Sequence, residues 1–464
     1  MPYEVLQEIA WWAWASLLYL LGTLVAIDAL WQGRTAQSSL AWILGLIVVP
    51  FITLPLYALF GSRRFRGYVR ARRHGHQALD KIIDHSLQQL KHVKAQASPL
   101  TKPLFPLFRI PPINGNRCSL LTTGQAFYDD LFTTLNQAQA FICVQFYILR
   151  SDNTGRKLAT ILKAKAQAGV KVYLLYDEIG SGGIQTSFLR ELRQAGVQVS
   201  RFNSSRFRTR FQLNFRNHRK LVISDGHTAF VGGYNLGDEH LSNWRDTQVK
   251  IEGPAVLSFQ VVFSEDWHWA TGNIPMLNWE AAPVQGAGRV MCIASGPADD
   301  TDSASLYFSH LINSAEKRCW LVSPYFVPDR NLSTAIQLAA LRGVAVKILV
   351  PGESDNRLVQ QAMYAYIDEL RRCGVEFYTY KKGFLHQKVM LIDDKFCSIG
   401  STNMDNRSLH INFEINALIK DDALVAEVKQ MLEQDFKDAK ITAINPHWWP
   451  VFLTKCAKLF SPVL

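Results

Sequence analysis

Residues 218–235 read HRKLVISDGHTAFVGGYN, and residues 386–403 read HQKVMLIDDKFCSIGSTN. Both stretches follow the spacing H-x-K-x4-D-x6-G-x2-N, and an acidic residue stands eleven positions after each asparagine. Matching positions differ by 168 residues throughout, as His386 does from His218. The polar positions are His218, Lys220, Asp225, Asn235 and Asp246 in the first copy, and His386, Lys388, Asp393, Asn403 and Glu414 in the second. One copy would be a weak signal, but two copies in register indicate an internal duplication that carries chemistry.

The secondary-structure pattern upstream of each copy is also repeated. The first half has the order strand, helix, strand, helix at 140–148, 155–168, 170–176 and 186–195, and the second half repeats it at 319–327, 331–342, 344–350 and 358–373. Strands that alternate with helical segments are typical of an α/β sheet covered by helices. The predicted fold is therefore α/β, with two pseudo-symmetric lobes of mixed sheet flanked by helices.

The first 60 residues carry a lipid signal. Residues 9–30 are mostly apolar and aromatic, and residues 40–60 form an apolar run of about 21 residues, which is enough to cross a hydrocarbon core of about 30 Å as a helix. Two such segments joined by a short polar loop predict a transmembrane hairpin. Pro50 and Pro55 lie within the second segment and predict that it kinks, tilts or re-enters the same face.

Basic residues follow the second apolar segment at once. Arg34 is the only basic residue between the two apolar segments, so the positive-inside rule predicts that everything after residue 60 is cytoplasmic. An electrostatic contact with anionic lipid is an equally good interpretation of this cluster. The cluster consists of Arg63, Arg64, Arg66, Arg70, Arg72 and Arg73. The expected organisation is a transmembrane hairpin at 1–61, a basic helix and proline-rich linker at 62–112, a first lobe at 113–282 and a second lobe with a tail at 283–464.

The motif spacing has a chemical interpretation. Residues two apart on a strand share a face, so His218 and Lys220 point together while Leu221 and Ile223 pack into the core. Glycines at the following turn let Asn235 return to the same place with its amide donors. Two such sets make a pocket for a tetrahedral phosphoryl anion, in which lysines and asparagines take the part that a metal ion takes elsewhere. Seven scattered cysteines, with no C-x-x-C pair, suggest no zinc site.

Several further tracts resemble those of the bacterial cardiolipin synthases, which belong to the phospholipase D superfamily. The tracts are GGYNLGDE at 232–239, WRD at 244–246, EGP at 252–254, ASGP at 294–297, PYFVP at 324–328, GSTNMDNRSLHINFE at 400–414 and LFSPVL at 459–464. The resemblance implies that two phosphatidylglycerol molecules react to give cardiolipin and glycerol through a phosphatidyl-histidine. The implied reaction requires no cofactor and no metal.

The resemblance also implies roles for the motif residues. His218 is the expected nucleophile and His386 the expected acid and base, although symmetry leaves that choice open. Lys220, Lys388, Asn235 and Asn403 are expected to bind phosphate, while Asp246 and Glu414 orient the histidines. Asp225 and Asp393 complete the catalytic motif with a structural role, which we expect at the interface between the halves. Asp246 is one methylene shorter than the glutamate at the matching position, so its geometry is expected to differ.

The expected partners are phosphatidylglycerol, other anionic lipids and the membrane, not nucleic acid. The expected location is the bacterial inner membrane, with multiple passes and both lobes on the cytoplasmic side. A phospholipase D-type hydrolase, a transphosphatidylase that uses another alcohol, and a non-catalytic membrane tether remain alternatives. The basic and aromatic stretch at 206–219 is interpreted as a headgroup-steering segment or a solvated loop. The aromatic residues at 448–460 are interpreted as an interfacial belt or as packing of the tail. The oligomeric state is left open.

Overall fold

The computed structural model describes residues 3–32, 36–61, 76–96, 98–202, 214–242, 244–442 and 448–461. These residues belong to two compact units. The small unit holds the N-terminal helices, and the large unit holds both copies of the motif. The predicted basic cluster between Arg63 and Arg73, and the part of the basic and aromatic stretch at 206–213, lie outside the described residues. The predicted limits at residues 61, 112 and 282 remain predictions.

The small unit contains an apolar helical hairpin. Within the described residues, Ala10–Trp31 is the one stretch long and apolar enough to cross a membrane. The second apolar segment is broken at Val49, because a residue before proline disfavours the helical region and Pro50 lacks a backbone N–H. The Tyr57 hydroxyl donates to Asp28 Oδ2 across the hairpin at 3.0 Å. The helices are α1 (Tyr3–Gln32), α2 (Ala36–Val48) and α3 (Pro50–Phe60).

The first lobe of the large unit is a mixed sheet with helices on its faces. Its strands are β1 (Ile113–Leu121), β2 (Phe141–Phe146), β3 (Lys171–Tyr176), β4 (Gln198–Arg201), β5 (Leu221–Ser224), β6 (Thr228–Gly232), β7 (Trp244–Arg245) and β8 (Gln248–Glu252). The helices of this part of the chain are α4 (His76–Gln89), α5 (Phe105–Phe108), α6 (Gly124–Gln137), α7 (Asn153–Gln167), α8 (Thr186–Gln194) and α9 (Val256–Thr271). Short 3-10 helices lie at Lys102–Leu104 and Asp238–Leu241.

The second lobe repeats this arrangement. Its strands are β9 (Gly288–Ser295), β10 (Arg318–Val322), β11 (Phe326–Val327), β12 (Ala345–Pro351), β13 (Glu376–Tyr380), β14 (Phe384–Leu385), β15 (Val389–Ile392), β16 (Phe396–Gly400), β17 (Met404–Asp405), β18 (Glu414–Lys420) and β19 (Ala439–Ile441). Its helices are α10 (Ser303–Ser314), α11 (Arg330–Leu341), α12 (Arg357–Arg371), α13 (Asn406–His410), α14 (Asp422–Lys437) and α15 (Trp448–Lys458).

Strand order shows the duplication directly. The first lobe has the order β1-β8-β6-β5-β2-β3-β4, and the second has the matching order β9-β18-β16-β15-β10-β12-β13, with β19 added at the edge. An antiparallel contact between β1 and β9, with Ile113 opposite Val290, joins both halves into one sheet of fifteen described strands. Leu221 and Ile223 are fully buried, as predicted. The predicted α/β fold with two pseudo-symmetric lobes is therefore confirmed.

Candidate active site

Each motif histidine lies in an extended segment just before a central strand, where it is tied to the opposite lobe. His218 precedes β5, and its backbone N–H donates to the carbonyl of Phe413 at 2.9 Å. His386 precedes β15, and its backbone N–H donates to the carbonyl of Arg245 at 2.8 Å. In both cases the acceptor is the residue before the acidic member of the other copy. Backbone pairing therefore brings each histidine to the acidic residue of the opposite lobe.

The side chains complete two crossed pairs. His218 Nδ1 lies 2.9 and 3.0 Å from the two carboxylate oxygens of Glu414. His386 Nδ1 lies 2.6 Å from Asp246 Oδ2. All four residues are buried. Because Nδ1 of each ring faces a carboxylate, Nε2 is the nitrogen available for chemistry, and each pair takes one residue from each lobe.

Both motif lysines are buried beside the histidines. Lys220 Nζ donates to the backbone carbonyl of His218 at 2.7 Å. Lys388 Nζ lies 2.8 Å from Nδ1 and 3.1 Å from Nε2 of the His386 ring, and 3.9 Å from Asp246 Oδ2. Two ammonium groups and two imidazoles therefore share one buried cluster, and phosphoryl transfer needs such donors around the non-bridging oxygens.

Burial and like charge set the protonation states of this cluster. Burial lowers the pKa of His218 to about 4, with Lys220 adding to the shift and Glu414 opposing it. Burial, Lys388 and Lys220 hold the pKa of His386 well below its usual value. Burial also lowers the pKa of Lys388 to about 8, and it lowers that of Lys220. Both shifts favour the neutral imidazole, which is the form that a nitrogen nucleophile requires.

Comparison with known proteins follows the same division of the chain. The family described as "Cardiolipin synthase, PLD-like domain" matches residues 131–267 and 308–436, which contain both motif copies. Cardiolipin synthase A of Pseudomonas putida (strain W619) is 41% identical over 97% of this chain and 97% of its own length. Cardiolipin synthase A of Pseudomonas fluorescens (strain SBW25) is 43% identical over 90% of each chain.

The chain belongs to the cardiolipin synthase family of phospholipase D-like proteins.

Among solved structures, phosphatidylserine synthase from Haemophilus influenzae Rd KW20 is similar, with a TM-score of 0.60. The match covers 79% of this chain and 100% of that one at 16% identity, so it supports the shared fold alone.

The two crossed pairs of this cardiolipin synthase family member are not equivalent. Glu414 also accepts from the Ser401 hydroxyl at 2.5 Å and from Asn412 Nδ2 at 3.2 Å. Although burial raises the pKa of Glu414, His218, Lys220 and Ser401 together bring it below its usual value. Asp246 accepts from the Thr247 backbone N–H at 2.8 Å, and burial raises its pKa. The charged form is therefore favoured for Glu414 more than for Asp246.

A glycine explains part of this difference. The position that matches Ser401 in the first lobe is Gly233, and a Cβ atom there would lie 2.0 Å from Asp246 Oδ1. The first lobe therefore has no space for the serine whose hydroxyl binds Glu414 in the second lobe. The sequence predicts that Asp246 differs in geometry from Glu414. The structure shows how: the Asp246 carboxylate lies against the backbone of Gly233, whereas Glu414 binds the hydroxyl of Ser401.

The motif asparagines are buried near the same strand ends. Asn235 Oδ1 accepts from the backbone N–H of Ile148 at 3.1 Å, and its backbone carbonyl accepts from the Tyr128 hydroxyl at 2.8 Å. Asn403 Oδ1 is buried and has no hydrogen-bond partner among the described residues. Their predicted phosphate-binding role stays a prediction, which the buried positions of both amides support.

The motif aspartates do not join the cluster. Asp225 follows β5 at the end away from Lys220, and its carboxylate accepts from the backbone N–H groups of residues 139, 140 and 141 at 2.7 to 2.9 Å. Asp393 accepts in the same way from residues 316, 317 and 318. Each therefore fastens a turn of its own lobe to the start of the neighbouring strand. The expectation that they lie at the interface between the halves is wrong, because both sets of partners are local to one lobe.

Sequence patterns missed the residues that support the histidine segments from behind. Arg219 forms a buried ion pair with Asp266 of α9 at 2.7 Å and donates to the Glu414 carbonyl at 3.1 Å. Arg245 forms a bidentate ion pair with Asp435 of α14, with N–O distances of 2.9 and 2.8 Å. The tract WRD at 244–246 contains Arg245, but its partner lies 190 residues away in a helix with no local signal.

Two aromatic rings flank the imidazoles. Tyr147 meets His218 edge-on, and Trp244 meets His386 edge-on, each at a centroid distance of 4.9 Å. These rings restrict the rotation of the imidazoles and shield them from water. Among the described residues, no group of three or more His, Cys, Asp or Glu side chains is placed to hold a metal ion.

Proposed function

We propose that this protein is a cardiolipin synthase, which transfers a phosphatidyl group from one phosphatidylglycerol to the hydroxyl of a second and releases glycerol. The observation that carries the proposal is the pair of crossed imidazole–carboxylate contacts beside two buried lysines. Family membership supports the choice of lipid substrates. The apolar helix Ala10–Trp31 supports association with a membrane, where those substrates are found.

His218 is the proposed nucleophile. Its Nε2 attacks the donor phosphorus, the P–O bond to glycerol breaks, and the departing oxygen takes a proton from His386. The phosphatidyl-histidine carries positive charge on its ring, and Glu414 opposite Nδ1 stabilises that charge. Glu414 suits this role better than Asp246, because its three donors favour the charged carboxylate.

The second half-reaction reverses these roles. His386 takes the proton from the acceptor hydroxyl, whose oxygen attacks the phosphorus while the bond to His218 breaks. In the first half-reaction, the anionic phosphodiester bound among these groups raises the pKa of His386, so that this imidazole can hold the proton that it gives to the departing oxygen. Lys220 and Lys388 neutralise the non-bridging oxygens in both transition states. Atoms balance, because the acceptor hydroxyl replaces the glycerol hydroxyl and one proton moves each way.

Orientation in the membrane is part of the proposal. We infer that the chain passes the bacterial inner membrane and that both lobes lie on its cytoplasmic side. The basic residues that follow residue 60 in the sequence support this direction through the positive-inside rule. A fluorescent protein fused at the C-terminus, one that matures only in the cytoplasm, should fluoresce; a dark fusion made at normal levels would place the lobes on the other side.

Labelled phosphatidylglycerol in vesicles tests the reaction. The expected products are cardiolipin and glycerol in equal amounts, and phosphatidic acid as the main product would indicate a hydrolase instead. His218→Ala and His386→Ala should each abolish turnover because each removes one half of the shared site. His227→Ala is the matched control, since that histidine is exposed and lies outside the cluster. Normal turnover in either site variant would reject the shared-site mechanism.

A further inference from the structure

Two arginines lie next to the catalytic cluster without being part of it. Arg216 is two residues before His218, and its backbone carbonyl accepts from the Phe413 N–H at 2.9 Å. Arg407 lies in α13, and its carbonyl accepts from the Asn412 N–H at 2.9 Å. The backbone segments that carry the two arginines therefore meet at the turn that leads into Glu414. Both arginine residues are half-buried, so their charges are partly removed from bulk water.

Tyr147 connects this pair to the catalytic histidine. Its ring meets the His218 imidazole edge-on at 4.9 Å, and its hydroxyl oxygen accepts a hydrogen bond from the Arg216 guanidinium. Arg407 interacts electrostatically with both Arg216 and Tyr147. Arg216 therefore contacts the same tyrosine that packs on the imidazole we propose as the nucleophile, and Arg407 is near enough to interact with that tyrosine electrostatically.

Placing these cations together has an energetic cost. Burial and the charge of Arg216 lower the pKa of Arg407, and the carboxylates of Asp405 and Asp177 oppose that shift. Burial itself raises the pKa of Asp405 to about 6, so this carboxylate loses its charge more readily on acidification than an exposed one does. Like charges at a half-buried position are stabilised when an anion binds between them, and guanidinium matches the geometry of a phosphodiester.

The proposed reaction needs a second anion site. Both substrates carry a phosphodiester, and only the donor phosphorus can sit between the two histidines. The acceptor phosphate is bonded to the same glycerol whose hydroxyl attacks, so three carbons separate the two phosphates of the product. Water and simple alcohols bring no such group. A site for the second phosphate beside the first would therefore favour transfer to a lipid over hydrolysis.

We propose that Arg216 and Arg407, together with the hydroxyl of Tyr147, bind the phosphodiester of the acceptor phospholipid while its headgroup hydroxyl attacks the phosphorus held by the histidines. This assignment rests on the proposed function, since a hydrolase would have no acceptor lipid. It names the acceptor by its chemistry: an anionic phospholipid with a free hydroxyl about three carbons from its phosphate. Arg216 and Arg407 thereby determine specificity and take no part in bond breaking.

A competition between two acceptors tests this. Labelled phosphatidylglycerol is supplied with 1-butanol, which accepts the phosphatidyl group but carries no phosphate, and cardiolipin and phosphatidylbutanol are measured together. In Arg407→Gln the ratio of cardiolipin to phosphatidylbutanol should fall roughly 10- to 100-fold, as expected for losing a charge-assisted phosphate contact. Arg407→Lys should lie between, because it keeps the charge and loses the planar fork. Arg372→Gln, on the exposed residue that follows α12, is the control and should keep the wild-type ratio.

Each other outcome overturns the assignment in a different way. An unchanged ratio in both Arg407→Gln and Arg216→Gln would show that the pair does not contact the acceptor phosphate. An equal fall in both products would place the pair on the donor or on the fold instead. If Arg407→Gln does not fold, Arg407→Lys gives the same comparison. If the wild-type enzyme makes phosphatidylbutanol but no cardiolipin, that result would contradict the proposed function, and this inference would fall with it.

Discussion

A leaving group that departs without a proton separates the roles of the two histidines. On phosphatidylglycerol, His218→Ala and His386→Ala both stop turnover, so the variants cannot be told apart. A phosphatidyl 4-nitrophenyl ester removes the need for an acid in the first step. We expect His386→Ala to release a burst of about one nitrophenolate per active site and then to stall, because no base activates the acceptor. His218→Ala should show no burst, because no nitrogen is placed to attack.

The magnitude follows from what each side chain supplies. General acid–base catalysis contributes roughly 10²- to 10⁴-fold to each of the two steps, so its loss in His386→Ala should stop measurable turnover on phosphatidylglycerol while the burst rate on the nitrophenyl ester changes little. Glu414→Gln replaces the charged acceptor 2.9 Å from His218 Nδ1 with a neutral one. A hydrogen bond to a charged group is worth about 1.5–3 kcal/mol, so the burst should slow roughly 10- to 150-fold. Asp246→Asn should leave the burst rate near that of wild type, since Asp246 contacts the other imidazole.

Rapid mixing with detection of nitrophenolate measures the burst, and acid quenching of labelled substrate traps the phosphatidyl-enzyme. His227→Ala again serves as the matched control. A burst in His218→Ala with none in His386→Ala would exchange the two roles and would refute the argument from Glu414. Bursts in both variants would contradict a single obligatory nucleophile.

Three further predictions concern stability and pH. Asp225→Ala should lower the free energy of unfolding by roughly 2–4 kcal/mol, measured by denaturation in detergent, because three backbone donors lose their acceptor at a left-handed residue, whereas Asp225→Asn should lose less. Arg219→Met should cost roughly 3–5 kcal/mol in the same assay, because it leaves the Asp266 carboxylate buried without its cation; a loss under about 1 kcal/mol would contradict the burial of that pair. The kcat/KM should fall as pH rises through about 8, because the charged forms of both lysines are required and burial lowers both pKa values, that of Lys388 to about 8; a kcat/KM that stays constant well above pH 8 would contradict the requirement for charged lysines.

Much of the fold follows from local sequence because the duplication displays every pattern twice. The predicted helix at 155–168 corresponds to α7 at Asn153–Gln167, and the predicted helix at 358–373 corresponds to α12 at Arg357–Arg371. The sequence pattern predicts one strand at residues 319–327, whereas the structure has β10 and β11 with a break between them that contains Pro324. Proline cannot donate a hydrogen bond to the neighbouring strand, so the sheet ends here although the apolar pattern continues past Pro324.

The site was predictable in membership but not in pairing. An identical offset groups His218 with Asp246 as readily as with Glu414, because spacing along the chain carries no information about which lobe faces which. The crossing depends on backbone contacts such as His218 N–H to Phe413, which exist only after the lobes dock. The same limit applies to Arg245 and Asp435, whose ion pair joins the two lobes across the site.

Crossed pairing also explains how a duplicated site can acquire two different roles. Because each imidazole is oriented by the opposite lobe, a change in one copy alters the chemistry of the histidine in the other. Ser401 belongs to the second copy, yet through Glu414 it acts on His218 of the first. Gly233 excludes the equivalent serine, since a Cβ atom there would meet Asp246 at 2.0 Å. The two imidazoles therefore face carboxylates of unequal charge stability, and that inequality lets one act as the nucleophile while the other moves the proton.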